Sequence, residues 1–260
     1  MKKTSLPLFM MLLPLMASAD EMVYSVIIDR ICYNLNKTAK TAEVTYKDMV
    51  YNTYGYQVTI PSSVTYSDET YSVTGIGKDA FWGAPSLTSV EIPSSVTYIG
   101  VQAFGMCERL TSEEIPNGVT SIAKNAFYKC TNLKAVVLPG SLTSVDENVF
   151  ANCSSLKDVY CLAEDVPETA TMAFNLFDAS AATLYVPTAA VEKYEAAAPW
   201  NGFGSIVGID ATEVRAVDAA KAEKKIAEIF SLDGKPQNEL RKGINIVKYS
   251  DGTTRKVIKM

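Results

Sequence analysis

Four phenylalanines, Phe81, Phe104, Phe127 and Phe150, follow one another at a fixed 23-residue interval, and Leu87, Leu110, Leu133 and Leu156 keep the same interval. Pro93, Pro116 and Pro139 run in register with them, as do Ile92, Ile115 and Leu138, Val73, Val96, Val119 and Leu142, and Ile76, Ile99, Ile122 and Val145. A fixed period of this length marks a solenoid, because one unit is too short to bury its own apolar face and must stack on its neighbours. Within a unit, Val90-Glu91-Ile92-Pro93 alternates like a short strand, ended by a proline that has no ladder donor. Ser94 and Ser95 turn the chain, Val96 to Ile99 forms a second extended piece, and Gly100 allows a bend. Ala103, Phe104, Cys107 and Leu110 then suit a short helical return with its apolar side inward. The expected fold is a right-handed repeat solenoid, mainly β with short helices, and capped at both ends.

The segments IPSSVTYIGVQAFGMCERL and IPNGVTSIAKNAFYKCTNL resemble the BspA-type leucine-rich repeat in their Ile-Pro, Val, Ile, Ala-Phe, Cys and Leu stations, over residues 57–160. The resemblance implies a curved leucine-rich-repeat solenoid on secreted or surface proteins of Bacteroidetes-like bacteria, with a role in adhesion or host-matrix binding. That functional link is associative, since a fold does not fix a function.

Two departures from the repeat carry structural expectations. Glu113 stands where Val90, Val136 and Val159 point inward. An unpaired carboxylate there would lose several kcal/mol to desolvation, so the chain should fray locally or supply a partner. In the first coil the interval from Pro61 to Pro93 exceeds the period, which places Tyr66 to Tyr71 in a bulging turn.

Outside the repeat the chain reads as a succession of smaller pieces. Lys2 and Lys3 precede an apolar run from Leu6 to Met16, followed by Ala17-Ser18-Ala19, so residues 1–19 read as a signal peptide. The run is shorter than the about 20 apolar residues of a membrane span. The mature chain is expected to begin at Asp20 and to hold no transmembrane segment. Residues 20–56 read as an N-terminal β-hairpin cap, with YSVIIDRICYNLN and AEVTY on either side of the turn Asn36 to Thr41. After Tyr160 the Pro and Ala-Phe stations are lost, and residues 161–210 form the C-terminal cap. That cap should hold the strand ATLYVP, a helix from about Ala189 to Ala198 begun by Thr188, and a packed Trp200. Residues 211–224 read as a linker. In residues 225–260, AEIFSLDGKP, KGINIVKY and SDGTTRKVIKM predict three strands around Asp-Gly turns. This small β unit resembles the C-terminal sorting domain of type IX secretion, which implies engagement of export machinery by the tail.

The formal net charge is −5, a field that repels phosphate backbones and argues against a nucleic-acid partner. Residues 231–260 hold seven Lys/Arg against three Asp/Glu, a basic end on an acidic chain. There is no histidine, which removes imidazole bases, the common nucleophile systems and most zinc sites. No enzyme activity, catalytic residue, metal site or cofactor is expected. Cys107, Cys130 and Cys153 recur at the repeat period, close enough to bond but with parallel Cβ vectors. Buried free thiols are expected for these, and core positions for Cys161 and Cys32. Glu91 and Glu114 lie one coil apart on the exposed strand face, and Val137 and Tyr160 continue that outward column. A flat solvated face raises no carboxyl pKa, so the two acids do not form an acid–base pair. Glu91, Glu114, Val137 and Tyr160 are instead the candidate ligand-binding residues. The expected role is an exported binding or adhesion module, extracellular, on the outer cell surface or periplasmic, that recognises a protein or glycan. The alternative is a structural or assembly component of the bacterial envelope.

Overall fold

The computed structural model describes residues 22–46 and 54–210, together with the strand backbones of residues 226–230, 236–237, 243–249 and 254–259. The expected signal peptide and linker lie outside the described residues. The chain divides into two compact units, residues 1–207 and 208–260.

Ahead of the coils stands an antiparallel meander of β1 (Met22–Ile28), β2 (Ile31–Asn36) and β3 (Thr41–Val44). Sequence reading takes YSVIIDRICYNLN as one strand-like stretch, but the chain reverses at Asp29 and Arg30, both with positive φ. Two-residue turns of this hand match the twist of paired strands, and neither residue is the glycine that usually signals one. β4 (Gln57–Thr59) follows, and then β5 (Ser63–Tyr66) folds back on β6 (Glu69–Ile76) through Ser67 and Asp68. This hairpin is the insertion of the first coil, and it turns Val64 and Tyr71 into the core.

Each later coil adds strands to two parallel stacks. β8 (Tyr98–Ile99), β10 (Ser121–Ile122), β12 (Ser144–Val145) and β14 (Glu168–Thr169) extend the sheet of β1, β2, β3 and β6. Ser121 lies opposite both Tyr98 and Ser144, and Ile122 opposite Ile99 and Val145, so the 23-residue period is one coil. On the other side β9 (Ser112–Glu114), β11 (Ala135–Leu138), β13 (Asp158–Cys161) and β15 (Thr183–Pro187) form the second parallel stack, and β7 (Ser89–Glu91) pairs with β4 in a sheet of two strands. Between the stacks runs the core, in which the rings of Phe81, Phe104, Phe127 and Phe150 stack with centroids 5.2, 5.1 and 5.6 Å apart and planes 10°, 5° and 22° from parallel. Identical side chains thus form continuous columns, as the register of the sequence predicts.

The returns differ from expectation. They are successive turns, and the one α-helix among the described residues lies in the C-terminal cap. Two residues of the central returns adopt positive φ: Gln102 and Met106 in one coil, Asn125 and Lys129 in the next, Asn148 and Asn152 after that. Backbone amides alternate in their use. Gln102, Phe104 and Met106 donate to the carbonyls of Lys124, Ala126 and Tyr128 in the following coil, whereas Ala103, Gly105 and Cys107 donate three residues back within their own. The third side of each coil is therefore also tied to its neighbour, which a helix, having spent its donors internally, could not do.

The cap at the far end continues the columns before closing them. Ala173 and Phe174 restore the station that sequence reading ends at Tyr160, and the Phe174 ring lies parallel to Phe150 at 6.5 Å. One extra residue in that coil masks it. Trp200 packs edge-on against Phe174 at 4.9 Å and Tyr194 at 5.3 Å and donates from Nε1 to Thr169 Oγ1 at 2.9 Å. The expected helix is shorter than predicted: α1 (Val191–Ala196), preceded by a 3-10 turn at Thr188–Ala190. β16 (Ser205–Ile209) pairs with β15 at the edge of the second stack.

In the second unit β17 (Ile226–Phe230), β18 (Pro236–Gln237), β19 (Gly243–Tyr249) and β20 (Thr254–Lys259) form an antiparallel sheet in the order β18-β17-β19-β20. Sequence reading gives its three long strands and misses the two-residue β18. Among the described residues no helix is long and apolar enough to cross a membrane.

Candidate functional site

Along β9, β11, β13 and β15 the side chains alternate between core and exterior. Val136, Val159 and Leu184 fill the interior in register, and Glu114, Val137, Tyr160 and Tyr185 form the matching outward row. Three of the four candidate residues, Glu114, Val137 and Tyr160, therefore stand side by side. Val137 is only 6% exposed although it lies outside the continuous core, so it is a floor between its neighbours and not a contact in its own right. This corrects its reading as an open binding residue.

Glu91 is separated from that row. β7 pairs with β4, where Thr59 Oγ1 donates to Glu91 Oε2 at 2.8 Å, and among the described residues β7 and β9 form no ladder. The expected Glu91–Glu114 neighbour pair is thus interrupted. The interruption falls at the coil that carries Glu113, which is 2% exposed and occupies the inward position opposite Val136. The break in the ladder thus falls beside the residue for which the sequence expects either local fraying or a partner.

Sequence reasoning misses Tyr185. Its ring stacks on Tyr160 with centroids 4.5 Å apart and planes 12° from parallel, and its hydroxyl donates to Asp158 Oδ1 at 3.3 Å. The step from Tyr160 to Tyr185 is longer than the period, because the last coils are longer; the inward Leu184 beside it was the available signal. Burial, and after it the facing tyrosine and Asp158, hold the Tyr160 phenol above its ordinary range, and burial and Asp158 do the same for Tyr185. Both phenols remain hydrogen-bond donors at neutral pH. The row thus offers a rigid aromatic pair, the Glu114 carboxylate and an apolar floor, with Asp158 holding the Tyr185 hydroxyl beside it, a composition suited to recognition.

The sheet on the other side of the coil has a shallow depression of about 450 Å³ whose lining includes Ser121, Ser144, Asp146, Glu168 and Thr169. Cys107, Cys130 and Cys153 are buried free thiols, each donating from Sγ to the carbonyl of Phe81, Phe104 or Phe127 in the preceding coil at 3.0–3.1 Å. Cys32 and Cys161 are likewise buried thiols outside any disulfide, and Cys161 Sγ lies 3.2 Å from the Tyr194 hydroxyl. Burial pushes the Cys107 thiol up to about 12 and that of Cys161 up to about 11, which leaves them unreactive near neutrality.

These parallel stacks, columns and coil-length returns are those of a leucine-rich-repeat fold. Residues 74–188 match the family described as BspA type Leucine rich repeat region, in six copies. Among solved structures the chain is similar to the Leucine Rich Repeat protein of T. pallidum, with a TM-score of 0.55 and 26% identity over 72% of this chain and 83% of that one. It is also similar to a leucine-rich repeat protein from Bacteroides capillosus, with a TM-score of 0.47 and 29% identity over 54% of this chain and 98% of that one. A leucine rich cell surface protein from Faecalibacterium prausnitzii aligns with a TM-score of 0.43 and 22% identity over 91% of this chain and 61% of that one. Comparison with curated proteins gives no match.

Proposed function

We propose that this chain is an exported binding module that recognises an extracellular protein or glycan through the outer face of the β9–β11–β13–β15 sheet. The observation that carries this reading is the stacked Tyr160–Tyr185 pair, in register with Glu114 across the Val137 floor. Aromatic side chains with few rotatable bonds lose little entropy on contact, and aromatics are enriched where binding energy concentrates. Four strands at about 4.8 Å give a strip about 15 to 20 Å wide, enough for a peptide or an oligosaccharide. Export rests on residues 1–19, with Lys2-Lys3, the apolar run and Ala17-Ser18-Ala19 in that order. The test is a glycan and matrix-protein array probed with the mature chain and with the Tyr160→Ala, Tyr185→Ala double variant. Loss of the array signal in a variant that still folds is expected; an unchanged profile would refute the sheet face as the binding surface.

A second reading, an assembly component of the envelope, is favoured by the basic tail with its own antiparallel sheet. In that reading the tail engages export machinery. Deleting residues 225–260 and fractionating the culture decides between them: mislocalisation supports the assembly role, and unaltered secretion with intact binding removes it.

A further inference from the structure

We infer that the return side of the solenoid carries a separate binding groove for a neutral oligosaccharide, independent of the sheet face. Trp82, Gly105 and Tyr128 occupy the same station in three successive coils. The indole and phenol rings are parallel within 4°, with centroids 6.4 Å apart, and both side chains are half-buried. Gly105 makes this possible. A Cβ there would lie 2.2 and 2.3 Å from Cζ3 and Cε3 of the indole, so the bare backbone is what the Trp82 ring edge rests against. The core beneath is already filled by the phenylalanine column, which leaves the aromatic pair as a surface feature.

On the same side a depression of about 570 Å³ crosses four coils; its lining includes Lys129, next in sequence to Tyr128, and Phe177, but neither ring of the pair. Lys129 joins the two, since it lines the depression and sets its ammonium 5.4 Å from the Tyr128 ring centroid. The volume lies within the roughly 300–1,000 Å³ of small-molecule sites. Three coil spacings give a length of about 15 Å, enough for several linked sugar rings. At the far end Leu176 is 66% exposed beside Phe177. The charged lining cancels, with Lys129 and Lys157 against Glu108 and Asp178, and Thr131 and Asn152 add uncharged donors and acceptors.

That combination selects a ligand class. Phe177 and the exposed Leu176 in the lining, with the Trp82–Tyr128 pair reached through Lys129, suit the C–H faces of pyranose rings, and interleaved donors and acceptors suit hydroxyl groups. A lining of zero net charge gives a polyanion or a polycation no advantage. A neutral glycan satisfies all three conditions.

The chain has two tryptophans, and Trp200 is buried in the cap, so a ligand-dependent change in indole emission reports Trp82. The mature protein is titrated with neutral hexasaccharides of α-linked glucose, β-linked glucose, N-acetylglucosamine and mannose, each to about 5 mM, the weak end of specific affinity. Expected is a saturable blue shift with at least one of them, unchanged between about 0.05 and 0.5 M salt because no charge pairing is involved. Tyr128→Ala and Gly105→Ala, each checked for an intact melting transition, weaken the response by about tenfold or more, while Thr97→Ala does not. Absence of a saturable change with all four sugars overturns the inference. So does undiminished binding by folded Tyr128→Ala, or a response that fades as salt rises.

Discussion

Phe104, Phe127 and Phe150 each lie between two other rings, so removing one opens a gap in a column that the neighbouring coils cannot collapse to fill. Phe127→Ala is expected to cost about 3 to 5 kcal/mol in chemical denaturation. Thr97 sits on the exterior and donates from Oγ1 to Thr74 O at 3.0 Å, one rung of a threonine ladder that Thr120 and Thr143 continue. Thr97→Ala should cost about 1 kcal/mol or less, the net worth of an exposed hydrogen bond. Equal losses for the two variants would contradict the column. The phenylalanines were legible because identical spacing leaves one arrangement in which all are buried. The role of the cysteine thiols as donors, each reaching a carbonyl one coil back, was not, since spacing marks a small apolar station without showing what its sulfur touches.

At the scale of elements, the weak point is the unpaired boundary between β7 and β9. Glu113 occupies a column otherwise made of Val90, Val136 and Val159, and even a satisfied carboxyl group gives less there than a packed valine. Glu113→Val is expected to stabilise the fold by about 1 to 4 kcal/mol, seen as a higher denaturation midpoint with an unchanged slope. Slower amide exchange in Ser112–Glu114 should accompany it if the ladder closes. The turns between strands are specified differently. Gly118 has φ +150°, and a Cβ there would meet Ser94 O at 2.2 Å in the preceding coil. Gly118→Ala should therefore destabilise by more than about 1 kcal/mol, measured by thermal melting against the exterior Thr97→Ala variant. Sequence patterns placed the strands and the first-coil insertion, and read the returns as helices. Their apolar spacing fits either a helix or consecutive turns, and only the left-handed residues Gln102, Met106 and Lys129, ordinary in composition, separate the two.

For the molecule as a whole, pH should act through the buried thiols. Burial holds Cys107 at about 12 and Cys161 at about 11 and raises Cys130 well above its ordinary value, while an unfolded cysteine ionises near about 8.5. Above that pH the unfolded chain releases protons that the folded chain keeps, so stability falls as pH rises. The full contribution is present below about pH 8.5 and is lost progressively toward pH 11 to 12. Melting curves from pH 7 to 11 should show this decline, and Cys107→Ala with Cys161→Ala should flatten it. Buried Tyr33, Tyr98 and Tyr194, also held above their usual range, steepen the loss at the alkaline end.

The sequence by itself determined the solenoid, its coil length and the identity of its columns, because a constant period with apolar stations admits one burial solution: coil upon coil in register. Tertiary structure alone decided which outward residues share a surface. That depends on coil lengths departing from the period, as with Tyr185 and Phe174, on a ladder that opens beside Glu113, and on a glycine that lets Trp82 reach toward Tyr128 across an intervening coil. Burial enforces a repeating pattern that can be read along the chain, whereas exposed neighbours are fixed only once the coils have been laid side by side.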